Sequence, residues 1–216
     1  MRMIRQIATF IFLWMTLSLA WAESDANTNI SAASGEASEQ QGEENAWIQM
    51  FGVRLSSATR DEMRQALRDQ GMKVVREDAR YWVDIYDAKG MLNGSTKFFV
   101  GYAASTQQLA FAEYAFANFM DISHTAQIVK MVTAKYGPST ETVGQLAMGS
   151  YTARWRVADG MQIQVVREWP ETSTYLKFMN TQVEAEMKAE LDKETASRQK
   201  TKVASGGKNW VVSTTR

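Results

Sequence analysis

Few side chains in this sequence could do chemistry, and their types narrow the choices. His124 is the only histidine, and the 216 residues contain no cysteine. Thiol catalysis, a disulfide scaffold and thiolate metal sites are therefore excluded. A lone imidazole cannot build a histidine-rich metal centre, and the sequence calls for no cofactor. As a general base His124 needs a nucleophile, yet no G-x-S-x-G elbow is present. Its expected place in the first turn of a helix disfavours the imidazolium, so a surface residue at a helix start is the plainer reading. There is no G-x-x-x-x-G-K-[ST] loop, no G-x-G-x-x-G fingerprint and no D-x-D-x-D-G calcium loop.

The carboxylates and arginines offer more. Glu77, Asp78, Asp84 and Asp87 lie close in sequence and Glu113 follows on a later strand. A hydrolase of envelope polymers would use Asp84 and Glu113, with roles set by their separation in space. On an alternating strand Asp84 shares a side with Trp82 and Tyr86; if that side is buried, the carboxyl needs a cation or takes a raised pKa. Arg60, Arg64 and Arg68 recur at i, i+4, i+8 and form a basic stripe on an exposed helix face. That stripe reads either as a solvated face or as a contact for an anion or lipid headgroup. Arg154 and Arg156 share the polar side of a hairpin, and with Trp82 and Trp169 they complete the candidate binding residues. No residue is assigned a catalytic role.

The elements that must position these groups follow from periodicity and caps. A strand is expected from Ile48 to Val53. Thr59-Arg60-Asp61-Glu62 is a capping box, Met63, Ala66 and Leu67 recur at helical spacing, and Gly71 suits a left-handed C-terminal position, giving a helix over about 60–70. Strand patterns occupy Lys73–Glu77, Arg80–Tyr86, Thr96–Tyr102 and Leu109–Phe116, with a turn at Asp87-Ala88-Lys89-Gly90. A second helix starts after Asp121 or Ser123, carries Ile128, Val129, Val132 and Tyr136 on one face, and stops at Gly137-Pro138.

The hairpin at Tyr151–Glu168 has a testable register. A two-residue loop mixes its faces. A three-residue loop, Ala158-Asp159-Gly160, sets Val157, Trp155 and Ala153 opposite Met161, Ile163 and Val165, with Gly160 left-handed. A further strand is expected at Thr172–Phe178, after Trp169-Pro170. The order helix, hairpin, strand thus occurs twice at an offset near 70 residues, which points to a duplicated unit, although small domains also reach such order by chance. Thr181-Gln182-Val183-Glu184 reads as another capping box, opening a helix over 181–200 with a thin stripe of Val183, Met187 and Leu191 that packs on the core or awaits a partner.

The ends of the chain speak to location. Arg2 and Arg5 precede an apolar run from Ile7 to Leu19 that closes in Ala20-Trp21-Ala22, the layout of a cleaved secretory signal over residues 1–22. The run falls short of the roughly 20 residues that span a bilayer. The expected location is the periplasm, with secretion as the alternative. Residues 23–45 hold six carboxylates and no basic residue, the composition of a disordered acidic linker. Residues 46–180 carry 15 basic and 13 acidic groups and eighteen of the 23 aromatics, enough for one α+β domain. Residues 201–216, with Trp210-Val211-Val212, read as a flexible tail. Equal totals of 24 basic and 24 acidic residues argue against a nucleic-acid partner.

Phe51-Gly52-Val53, the capped helix Ser57-Ala58-Thr59-Arg60-Asp61-Glu62-Met63, the antiparallel strands and the ending Lys135-Tyr136-Gly137-Pro138 resemble small exported α+β envelope domains, of the SmpA/OmlA type or like the β-lactamase inhibitors. The resemblance covers about Phe51 to Phe178 and implies binding rather than catalysis. The chain departs from it in having no lipobox cysteine and no residue between Gly137 and Pro138, so it transfers no functional residue. The expectation is an α+β fold, an antiparallel sheet with two helices on one face plus a C-terminal helix. Its role would be that of an exported, non-catalytic binding or accessory protein of the cell envelope. The partner, a protein or an envelope component, would lie on the sheet, and any membrane contact would be peripheral.

Overall fold

A computed structural model describes residues 47–78, 82–117, 121–170 and 173–206. The expected signal segment, the acidic linker and the Trp210-Val211-Val212 run lie outside the described residues.

Among the described residues the first elements are β1 (Gln49–Met50) and β2 (Val53–Arg54), a small antiparallel hairpin. A single strand over Ile48–Val53 was expected. It is broken because Phe51 and Gly52 both take positive φ, 53° and 82°, which reverses the chain between them. Helix α1 (Arg60–Asp69) follows, with both halves of its capping box formed: Thr59 accepts from the Glu62 amide, and Glu62 accepts from the Thr59 amide at 2.9 Å. Gly71 ends it at φ 72°.

Then come β3 (Lys73–Arg76), β4 (Val83–Asp87), β5 (Ser95–Tyr102) and β6 (Leu109–Phe116). Helix α2 (Ile122–Tyr136) is capped by Asp121 and stopped by Gly137 at φ 80°. It leads into β7 (Glu141–Gly144), β8 (Tyr151–Arg156), β9 (Met161–Arg167) and β10 (Thr174–Asn180). β7 was not expected from the sequence, and β10 lies two residues later than expected.

One antiparallel sheet takes all eight long strands in the order β3-β4-β5-β6-β10-β9-β8-β7. A helix followed by a four-strand meander therefore occurs twice, and the two last strands, β6 and β10, pair at the centre. The β8–β9 register sets Trp155 opposite Ile163 and Ala153 opposite Val165, as the three-residue loop requires, and Gly160 is left-handed at φ 69°.

Alternation gives the sheet two different faces. The inner face carries Tyr86, Phe98, Val100, Tyr114, Trp155, Ile163 and Leu176, all at most 3% exposed. On it pack Met63 and Leu67 of α1 and Ile128 and Val132 of α2, in one continuous core with the β1–β2 hairpin along its margin. The Trp155 indole donates to the Gly137 carbonyl at 2.9 Å, tying β8 to the end of α2, and Thr125 bonds Thr174 at 2.8 Å across the helix–sheet interface. His124 lies on the Phe116 ring, 5.4 Å between centroids, and fills the space over Gly94. It is a packing residue rather than the surface residue expected.

Helix α3 (Thr181–Gly206) reaches beyond the 181–200 expected, so residues 201–206 are helical rather than a loose tail. It is not free. Val183 and Met187, with Leu191 beside them, pack on Ala103, Ala110 and Phe111. Its cap is Asn180, whose side chain accepts from the Gln182 and Val183 amides, and not the box expected at Thr181. The Thr181 hydroxyl donates instead to the Gly160 carbonyl at 2.9 Å, and Glu184 is drawn to Lys177. No helix among the described residues is long and apolar enough to cross a membrane.

Candidate functional site

Arg60 and Arg64 of the α1 stripe are turned inward, Arg68 stays exposed, and all three are paired with carboxylates. Asp84 is fully buried on the inner face of β4. Arg64 grips it with Nε and Nη2 at 2.8 and 2.9 Å, and Arg60 reaches it at 3.1 Å. Arg60 also donates to the Asp78 carbonyl and lies 5.0 Å from the centroid of the Tyr102 ring. Arg68 pairs with Glu77, whose other oxygen accepts from the Tyr86 hydroxyl at 2.7 Å. The expected exposed stripe is thus corrected at Arg60 and Arg64, while Arg68 is exposed as expected and carries an ion pair to Glu77. The first two members are drawn inward because Asp84 shares the buried side of β4 with Tyr86, and a buried carboxylate requires paired cations. The Asp84 contact holds the Arg64 guanidinium above the ordinary arginine range, and burial raises the Tyr86 and Tyr102 hydroxyls.

The other candidates lie on the outer face. The cross-strand register places Phe99, Glu113, Lys177, Gln164, Arg154 and Glu141 in one row running from β5 to β7. Arg154 pairs with Glu141 at 2.7 Å, and Arg156 stands exposed two residues further along β8. The Trp82 indole donates to Glu194 of α3 at 3.0 Å, so this ring fastens the helix. Trp169 is 57% exposed at the end of the sheet, beside Glu168. Asp84 and Glu113 point to opposite faces of the sheet, since Asp84 pairs with Val100 of the inner face and Glu113 with Phe99 of the outer. They cannot flank one scissile bond.

Among the described residues, helix α3 crosses one end of the outer face and no other element lies on the rest. Between α3 and the Glu168 end lies a groove of about 500 Å³, floored by Phe99, Phe111, Glu113, Tyr175 and Lys177 and walled by Val166 and Glu168. Phe111 lies over Gly101 of the next strand, where a Cβ would collide with its ring. The Lys177 ammonium sits 4.5 Å from the Phe111 centroid and donates to Glu184 at 2.7 Å.

Glu113, directly across from Lys177, accepts no hydrogen bond among the described residues. Burial raises its carboxyl above the ordinary range. Glu168 and Glu184 add to the rise and Lys177 opposes it. A smaller crevice of about 210 Å³ opens on the inner side between Met50, Met131, Tyr136 and Phe178. Among the described residues no three His, Asp or Glu side chains converge to hold a metal ion.

The sequence singles out Glu113 as a carboxylate and Arg154 and Arg156 as a polar face, but it does not reveal the groove, which Glu113 lines and the two arginines do not. Its floor forms only where β6 of the first meander meets β10 of the second, a pairing no local pattern encodes.

No protein-family model matches the sequence, and no curated protein matches it. Among solved structures, a DUF4309 family protein (YjgB) from Bacillus subtilis is similar at a TM-score of 0.40 and 9% identity, over 64% of this chain and 91% of that one. The chain is similar to that protein only at a level that carries no functional argument.

Proposed function

We propose that this chain is an exported, non-catalytic binding protein of the cell envelope that holds its partner on the outer face of the sheet. One observation carries the reading. The inner face is closed by two helices and a hairpin, whereas the outer face keeps half-buried aromatic side chains and an unpaired carboxylate in an open groove. Neighbouring aromatic rings and a carboxylate gathered in one concave patch are the kind of surface that marks an interaction site. The N-terminal layout of Arg2, Arg5 and Ala20-Trp21-Ala22 supports export, and the resemblance to exported envelope domains agrees with a binding role.

Photocrosslinking tests this directly. A crosslinking side chain placed at Phe99 or Gln164 is expected to give a discrete adduct in intact cells. One placed at Asp61, exposed on α1, is expected to give none. Identical adducts from all three positions, or none from the outer face, would overturn the reading.

A further inference from the structure

The groove has a charge preference, and it names the chemistry of the occupant. Its floor and walls bring Glu113 and Glu168 together with a single ammonium, Lys177, which is already committed to Glu184. The Phe99 ring lies directly across the strands from Glu113, and Tyr175 occupies the neighbouring strand. An unpaired carboxylate beside ring faces, in a place partly shut off from water, favours a cation carried on an apolar stem. The stem covers the rings, the head meets the carboxylates, and the ring quadrupoles add attraction. Lys177 shows the same arrangement within the fold, with its ammonium over Phe111 and its charge on a glutamate.

We infer that the outer-face groove receives a basic segment of a partner protein, seating a lysine or arginine side chain over Phe99 with its charge on Glu113 and Glu168. This rests on the reading of the outer face as the binding surface. About 500 Å³ accommodates more than one side chain, which suits a short segment better than a single small ion. On the β8 side Arg156 has no ion pair among the described residues, so an acidic residue further along the same segment would meet it.

The test titrates the purified chain with the acetylated amides of tri-arginine and tri-lysine and, in a separate arm, with acetylated tri-glutamate, followed by 15N NMR. The expected result is that the basic peptides shift the amides of Phe99, Glu113, Glu168 and Tyr175. Glu113→Gln or Glu168→Gln should weaken that binding by about tenfold, the usual size of one charged hydrogen bond. Asp61→Asn on α1 should leave it unchanged. Glu168 stands at the exposed end of β9, so its replacement does not threaten the fold.

Preferential binding of tri-glutamate in the groove would overturn the inference while leaving the outer face as the binding surface. Basic peptides that shift only residues elsewhere, or bind Glu113→Gln and Glu168→Gln as tightly as wild type, would also overturn it. The crosslinking experiment then decides the wider reading independently.

Discussion

Glu113 stands directly across the strand pair from Lys177, yet the lysine ammonium turns away from it to Glu184, 2.7 Å distant. A carboxylate is thereby left half-buried beside a cation that does not neutralise it. The groups facing it are Lys177 of β10, Glu184 of α3, Glu168 at the end of β9 and the uncharged Phe99 and Gln164. Burial dominates and the Glu113 carboxyl is raised. A raised carboxyl favours the folded state at low pH, and that stabilisation is lost as pH climbs from the ordinary value of 4.5 through the folded-state value. Wild-type stability relative to Glu113→Gln should therefore fall between acidic and neutral pH, as read by urea denaturation. An unchanged difference across that range would remove the electrostatic account of this site.

The arginines of α1 should behave as parts of the fold, in graded order. Arg60 and Asp84 are buried with side-chain exposures of 7% and 0%, Arg64 is at 17% and Arg68 at 51%. Asp84→Ala leaves two inward-facing guanidinium groups without their carboxylate and should cost about 3–5 kcal/mol. Arg68→Ala breaks an exposed pair and should cost no more than about 1 kcal/mol. Arg64→Met should fall between, because it removes the bidentate grip but leaves Arg60. Denaturation midpoints of the three variants check the order. Equal small losses would return the stripe to the solvent.

These arginines also mark where the sequence was legible and where it was not. Caps and loop lengths act over a few residues, so Thr59 with Glu62, the end at Gly71 and the Ala158-Asp159-Gly160 turn could be read directly. Helical spacing put Arg60, Arg64 and Arg68 on one face, but only the burial of Asp84 decides which way that face turns. The break at Phe51-Gly52 was hidden because Phe51 is not a residue that advertises positive φ. β7 was hidden because Glu141–Gly144 is short, exposed throughout and lacks alternation. The groove depends on β6 meeting β10 across more than fifty residues, which periodicity cannot see.

Gly101 and Phe111 form a second outer-face relationship that can be tested by packing alone. The Phe111 ring occupies the space above Gly101 that any Cβ would need. Gly101→Ala should push the ring aside and cost about 1–3 kcal/mol, as overpacking does. Phe111→Ala empties the same space, so the double variant should lose less stability than the two single losses added together. Strict additivity in denaturant midpoints would show that the ring is not seated on Gly101.

Helix α3 should respond to acid with the opposite sign to Glu113 on the groove floor. Helix α3 is held at its middle by Glu190, which bonds the amides of Ala104 and Ser105 at 2.8 and 3.1 Å, and by Glu194 on the Trp82 indole. Contacts with Ser105 and the neighbouring amides lower the Glu190 carboxyl, and the Trp82 indole with Arg198 lowers that of Glu194. Lowered carboxyls stabilise the folded arrangement above the ordinary carboxylate range, and the contribution disappears as pH falls through their folded-state values. The acid response of α3 is thus opposite in sign to that of Glu113. Hydrogen exchange should show the Ala104 and Ser105 amides losing protection, relative to the β8–β9 hairpin, as pH is taken down to about 3. Glu190→Gln should show that loss already at neutral pH. Protection that stays constant with pH in wild type, or is intact at neutral pH in Glu190→Gln, would mean that the apolar stripe of Val183, Met187 and Leu191 holds the helix without the carboxylates.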